Sequence, residues 1–178
     1  NQEVNALRTG DVDIATQLTG ETVKIVAEDE TVNLEKMAGI QIGYAYFNMV
    51  NGPTADAKVR EALIKAVDYK ELAAGVYQYG EGEAACLPLP RASWGYDESV
   101  EADVPSYDPD GAKKLLEEAG YGDGITLNMY ITNETFRQKA ATILQSYWQA
   151  IGVELKINTV EWGTFSESAS SGNADMYG

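Results

Sequence analysis

Tyr107-Asp108-Pro109-Asp110-Gly111-Ala112-Lys113-Lys114-Leu115-Leu116-Glu117-Glu118-Ala119-Gly120-Tyr121 is a helix with both ends written into it. Asp108 can accept hydrogen bonds from the free N–H groups of a first turn, and Pro109 suits the first helical position, where no donor is needed. Gly120 supplies the left-handed residue that commonly stops a helix. Between these signals Ala112, Leu115, Leu116 and Ala119 recur at three- and four-residue spacing, which leaves Lys113, Lys114, Glu117 and Glu118 for water.

Working outward, Thr126 to Ile131 alternates Leu127, Met129 and Ile131 with more polar neighbours, a strand pattern. Thr132 or Asn133 is placed to cap a following helix whose face carries Phe136, Ala140, Ile143, Leu144, Tyr147, Trp148 and Ile151, with Gly152 closing it. Val153, Leu155 and Ile157 then alternate with Glu154, Lys156 and Asn158 in a second strand. Thr164 to Ser170 reads as a short helix and Ala174 to Tyr177 as a strand. This helix-strand-helix-strand order predicts an α/β fold, a mixed central sheet flanked by helices.

Upstream, Asn5 to Thr9 reads as a last helical turn closed by Gly10, Val12 to Ala15 as a short strand, and Thr19 or Glu21 through Ala27 as a short helix. Gln41 to Asn48 is rich in Ile, Tyr and Phe and reads as a strand. Asp56 can cap a helix with Val59, Ala62, Leu63, Ala66 and Val67 on one face. Asp68 with Glu71 gives a capping-box start for another helix to about Tyr77. From Gly80 to Ser106 no period is sustained, and a loop of that length inside a compact domain is usually functional or disordered.

Composition narrows the function. The chain has 178 residues, enough for one domain with a core, and its 44% hydrophobic share fits a globular class. Thirteen basic against 28 acidic residues give a net charge of −15, which repels nucleic-acid phosphates and anionic headgroups. Histidine is absent, which removes Ser-His and Cys-His nucleophile pairs and histidine-containing zinc sites. Cys86 is the sole cysteine and reads as a small, partly buried structural thiol. Paired carboxylates are abundant, so an acid-base hydrolase stays open as an alternative. Gly120-Tyr121-Gly122-Asp123-Gly124 follows a helix and precedes a strand, the reverse of a dinucleotide loop, and reads as a stop plus turn. Asp108-Pro109-Asp110-Gly111 lacks the ligand spacing of a calcium loop. No cofactor, metal ligand or catalytic residue is assigned. The 11 Tyr and 3 Trp offer flat apolar area with polar tips. Trp94 and Tyr96, in the long loop, read equally as ligand-lining or as local packing.

The ordered set Ala6-Leu7-Arg8-Thr9-Gly10-Asp11-Val12-Asp13-Ile14, Tyr46-Phe47-Asn48, Val59-Arg60-Glu61-Ala62-Leu63 through Asp68, the Asp108 helix, and Ile151-Gly152-Val153 through Glu161-Trp162 resembles one family. It is that of the extracytoplasmic solute-binding proteins of ABC importers, in the oligopeptide and dipeptide branch known as family 5. The resemblance covers nearly the whole chain. It implies a periplasmic-binding-protein type II-like lobe: residues 1–178 as a single C-terminal lobe of a two-lobed receptor, truncated at both ends. It further implies a peptide ligand, ABC transporter permease subunits and the N-terminal lobe as partners. The implied location is extracytoplasmic, periplasmic or as a membrane-anchored lipoprotein. Nickel-chelate, haem and oligosaccharide specificities remain open, and Arg60 and Asp68 take structural roles as a helix-surface pair and a cap. By position in the family pattern, Thr16, Gln17, Leu18 and Thr19 face the ligand cleft. Leu87 and Pro88 through Trp94 form a second cleft segment, and Asn133 with Glu134 lies where a strand hands over to a helix. For each of these, plain loop structure is the competing reading. Asp175 matches a strand position in the pattern and does not inherit the family's amine-binding role.

Overall fold

The computed structural model describes every residue except Asn1, Gln17 and Thr19. Helix α1 (Gln2–Thr9) ends at Gly10, and α2 (Glu21–Ala27) follows. Strand β1 (Tyr46–Phe47) leads through a short 3-10 turn (Pro53–Ala55) into α3 (Ala57–Lys65) and α4 (Tyr69–Val76). After a long loop containing a second 3-10 segment (Glu98–Asp103) come α5 (Pro109–Glu118), β2 (Ile125–Ile131) and α6 (Thr135–Gln149). The chain finishes with β3 (Val153–Thr159), α7 (Trp162–Ser171) and β4 (Met176–Tyr177).

The strands form one mixed sheet in the order β1-β4-β2-β3, with β4, β2 and β3 parallel and β1 antiparallel to β4. Alternation along β2 and β3 sends Leu127, Met129, Ile131, Val153 and Leu155 to one face. There they meet Val59 and Leu63 of α3, Leu116 of α5, and Leu144 and Trp148 of α6. The opposite face carries a smaller cluster in which Phe165 of α7 packs with Ala174, Tyr177 and Tyr130. The sheet is therefore sandwiched between unequal helical layers, as the helix-strand alternation requires.

The Asp108 helix forms as its sequence dictates. The Asp108 carboxylate accepts the Gly111 N–H at 2.9 Å, and Gly120 takes φ 88° just beyond the helix. Asp108 also fastens α5 to α3, because its N–H donates to the Lys65 carbonyl at 2.8 Å and its carboxylate lies 3.5 Å from the Lys65 ammonium. Asp68 caps α4 by accepting from Lys70 and Glu71 backbone N–H groups.

Several expectations are corrected. Val12 to Ala15 forms no strand: the Asp11 and Val12 N–H groups turn back to the Ala6 carbonyl, and Ile14 is exposed. The strand expected over Gln41 to Asn48 shortens to Tyr46–Phe47, the two residues that pair with Tyr177 and Met176 of β4. Neither Thr132 nor Asn133 caps α6. Glu134 holds the cap position without a side-chain bond, the Thr132 hydroxyl donates to the Glu134 carboxylate, and Asn133 accepts from the Gln138 amide at 2.6 Å. Phe136 is more exposed than its place on the apolar face implied. Arg60 makes no helix-surface ion pair among the described residues but donates to the Thr54 and Ala55 carbonyls at 2.8 and 2.9 Å, pinning the 3-10 turn. Cys86, expected to be partly buried, is exposed in the long loop.

The N-terminal helices are tied to the following loop by Arg8, whose Nε lies 2.5 Å from the Asp29 carboxylate. Hydrogen bonds from the Thr31 side chain and backbone, and then from Arg8, hold the Asp29 pKa at about 2. A carboxyl with a lowered folded-state pKa stabilises the fold fully above its unfolded value, and that contribution fades as pH falls through the folded value. The difference in urea midpoint between wild type and Asp29→Asn is therefore expected to be constant from neutrality to about pH 4 and to shrink between about pH 4 and pH 2.

Candidate functional site

Three parallel strands end on the same edge of the sheet. Ligands of open α/β sheets bind outside such carboxyl ends, where loops and helix starts converge. The β2 end passes through Thr132, Asn133 and Glu134 into the first turn of α6. There Arg137 lies with its Nε 3.2 Å from the Glu134 carboxylate and its guanidinium 5.2 Å from the centre of the Phe136 ring. That Nε is buried and lacks a well-aligned hydrogen-bond acceptor among the described residues.

The antiparallel strand β1 begins at this edge, so its first residue, Tyr46, sits opposite Tyr177 at the end of β4. Their rings stack with centroids 5.3 Å apart and planes at 22°. Tyr44 lies beyond, 6.2 Å from Tyr46 and tilted by 53°. Burial raises the pKa of Tyr46, with further upward pushes from Tyr177 and Tyr44, and the positive charge of Arg137 opposes them. Arg137 and the tyrosines thus share one neighbourhood. The backbone at Gly43 threads past α4 and α6, since a methyl group there would lie 3.9 Å from the Tyr77 hydroxyl and 4.0 Å from the Phe136 ring. An open groove of about 440 Å3 runs alongside, between Gly75 and Gln78 of the α4 side and Thr135, Gln138 and Ile143 of α6.

The residues expected in the cleft are placed unevenly. Asn133 and Glu134 stand at the strand ends, exposed and beside Arg137. Thr16 is exposed and Leu18 half-buried in the connection before α2, whereas Gln17 and Thr19 lie outside the described residues. That connection meets the long loop at its root, where the Gly20 N–H donates to Glu81 at 3.0 Å. Leu87 is half-buried and Pro88 exposed. Trp94 is 100% exposed at a loop tip. No hydrogen bond or ion pair among the described residues joins Leu87, Pro88 or Trp94 to Asn133 or Glu134. The loop has its own clasp instead: Arg91 pairs with Glu101 at 2.6 Å and covers the Tyr96 ring, whose hydroxyl also bonds Glu101. Tyr96 is thereby accounted for by local packing.

Tyr44, Tyr46 and Arg137 were missed as site residues. Tyr44 and Tyr46, two apart in a strand-like stretch, share a face, which is a readable signal. Nothing in the sequence marks Arg137 out from other helical arginines. Asp175 lies just before β4 rather than within it, and its carboxylate accepts the Asn128 N–H at 2.7 Å.

Four carboxyls are poor candidates for a general acid. Asp29, Asp97, Asp108 and Glu118 are all held below the usual carboxylate range, by hydrogen bonds from Thr31, Ser99, Gly111 and Lys58 respectively. A general acid needs the opposite displacement. What the sheet edge can do is hold a solute, using a guanidinium, a carboxylate, an amide and aromatic faces around one open margin.

The architecture is that of the type II periplasmic binding proteins, a mixed sheet with helices on both faces. The chain matches the family model "Bacterial extracellular solute-binding proteins, family 5 Middle" over residues 1–178, and it belongs to that family. The family is one of solute-binding proteins rather than of enzymes. It is 36% identical over 151 residues to the dipeptide-binding protein of Escherichia coli K12, covering 82% of this chain and 28% of that protein. It is also 36% identical over 149 residues to heme-binding protein A of Haemophilus influenzae, covering 81% of this chain and 27% of that one. Among solved structures, the Helicobacter pylori periplasmic binding protein DppA in complex with the peptide STSA superposes with a TM-score of 0.82 at 26% identity. That match covers 99% of this chain and 34% of DppA. The chain thus spans about a third of the length of these relatives.

Proposed function

We propose that this chain is one jaw, the C-terminal lobe, of a two-lobed receptor that binds peptides outside the cytoplasm and delivers them to the permease of an ABC importer. The observation that carries the reading is the shared edge where β2, β3 and β4 end, furnished with Asn133, Glu134, Arg137 and Tyr46, in a fold that superposes on a peptide-bound relative. A second lobe closing on this edge buries the solute, and closure is what a permease reads. Extended peptides are gripped through their backbone, with wetter and roomier contacts for side chains. Thr16, Gln17, Leu18, Thr19, Leu87, Pro88 and Trp94 are proposed to approach the solute in the same cleft. The receptor is extracytoplasmic in this reading, periplasmic or held at the membrane as a lipoprotein.

Isothermal titration of the full-length receptor with di- and tripeptides tests the proposal. Saturable heat with at least one peptide class is expected. No heat with any peptide sinks peptide specificity. A second reading, a haem receptor of the same family, is favoured by the identity to heme-binding protein A, and a Soret-band titration of the same sample distinguishes it.

A further inference from the structure

A ladder of aromatic rings links α7, β4 and the start of β1. Trp162 stacks on Phe165 at 5.6 Å and 17°, Phe165 meets Tyr177 edge-on at 5.9 Å, Tyr177 stacks under Tyr46, and Tyr46 adjoins Tyr44. The middle of this ladder is buried: Phe165 is 7% and Tyr177 2% exposed. Its ends are open, with Tyr46 40%, Tyr44 65% and Trp162 68% exposed.

Tyr177 is held at the hydroxyl end of its ring by two hydrogen bonds. Its hydroxyl donates to the Ser168 carbonyl at 2.7 Å and accepts the Ala174 N–H at 2.9 Å. Tyr46 lies against that immobile ring, and its backbone is pinned by the strand pairing with Tyr177. Its outer face is consequently pre-set, so a planar group that stacks on it orders little protein in doing so. Aromatic rings prefer such offset or edge contacts, which add to simple burial.

We propose that the outer face of Tyr46, with Tyr44 as its flank, is a specificity determinant that stacks a planar π-system of the bound solute. The inference rests on the solute-receptor reading above. Location favours the solute as occupant over other partners, because the face opens at the carboxyl ends of the parallel strands, where this class of sheet receives ligands. Two sources of that chemistry fit: an aromatic peptide side chain, or a porphyrin of the kind named for one relative.

The test uses the full-length receptor, its Tyr46→Leu variant, which keeps an apolar branched side chain but no ring, and Tyr46→Phe, which keeps the ring. Each is titrated with Ala-Ala-Ala, Ala-Phe-Ala and haem. Using the ratio of dissociation constants within one protein sample removes any effect of partial misfolding. For an aromatic side chain, Ala-Phe-Ala binds wild type about tenfold tighter than Ala-Ala-Ala, Tyr46→Phe keeps the preference, and Tyr46→Leu brings the ratio close to one. For a porphyrin, the peptide ratio does not move and haem binding weakens about tenfold in Tyr46→Leu alone. Either pattern supports the platform and names its source. Solute binding that responds to neither substitution overturns this inference and leaves the receptor reading standing. Absence of any binding by wild type overturns both.

Discussion

Replacing Trp148 by alanine is expected to lower the unfolding free energy by about 3–5 kcal/mol, as loss of a buried tryptophan does in tightly packed cores. Trp148 is 3% exposed and joins α6 to the main cluster that includes Leu63, Leu116 and Leu127. The indole also has a polar task. Its Nε1 donates to the Leu63 carbonyl at 2.9 Å. In an uninterrupted helix that carbonyl would accept from the Val67 N–H, but Val67 donates to Ile64 instead, because α3 tightens at its end. Trp148 therefore satisfies a helix-end carbonyl that the backbone leaves open. Trp148→Phe separates the two contributions: it keeps most of the apolar area and strands the carbonyl, so about 1–3 kcal/mol is expected to be lost. Urea unfolding followed by circular dichroism measures both variants. An alanine variant within about 1 kcal/mol of wild type contradicts the packing assignment.

The parts of this fold legible in advance are those written by local physics. Asp108-Pro109 and Gly120 bound α5 because capping and left-handed geometry act within a few residues, and Leu127-Met129-Ile131 shows its buried face through a two-residue period. Reading failed where a long-range partner decides the outcome. Val12 to Ala15 has strand-like composition yet finds no neighbouring strand, and Tyr44 lies beyond the short ladder that its own stretch was expected to extend. The site divides in the same way. Asn133 and Glu134 were placed by their position between a strand and a helix, a local pattern. Tyr46 earns its place only through Tyr177, 131 residues later in the chain. Arg137 acquires meaning only from the ring of Phe136 and the carboxylate of Glu134 once α6 has formed.

Asn48 gives the clearest case of a motif residue whose work is to hold the site rather than to form it. Its side chain is buried, and the amide nitrogen lies 2.6 Å from Asn51 Oδ1, 3.0 Å from the Gly172 carbonyl and 3.1 Å from the Ala174 carbonyl. Its amide oxygen accepts the Val50 N–H at 3.0 Å and the Asn51 N–H at 3.3 Å. One side chain thereby closes the turn after β1 and ties it to the end of α7 and the start of β4. Alanine at this position leaves buried donors and acceptors without partners, and a loss of about 2–3 kcal/mol is expected. Aspartate keeps the acceptor but sets a carboxylate against the two carbonyls, so Asn48→Asp is expected to be no better than alanine at neutral pH and to recover partly when protonated. Because Tyr46 stands two residues before Asn48 on a strand of only two residues, slackening this tie also frees the Tyr46 ring from Tyr177. Near-ultraviolet circular dichroism should then lose tyrosine signal below the unfolding transition in Asn48→Ala. A variant that is destabilised yet keeps the full native tyrosine signal would show that strand pairing alone holds the stack.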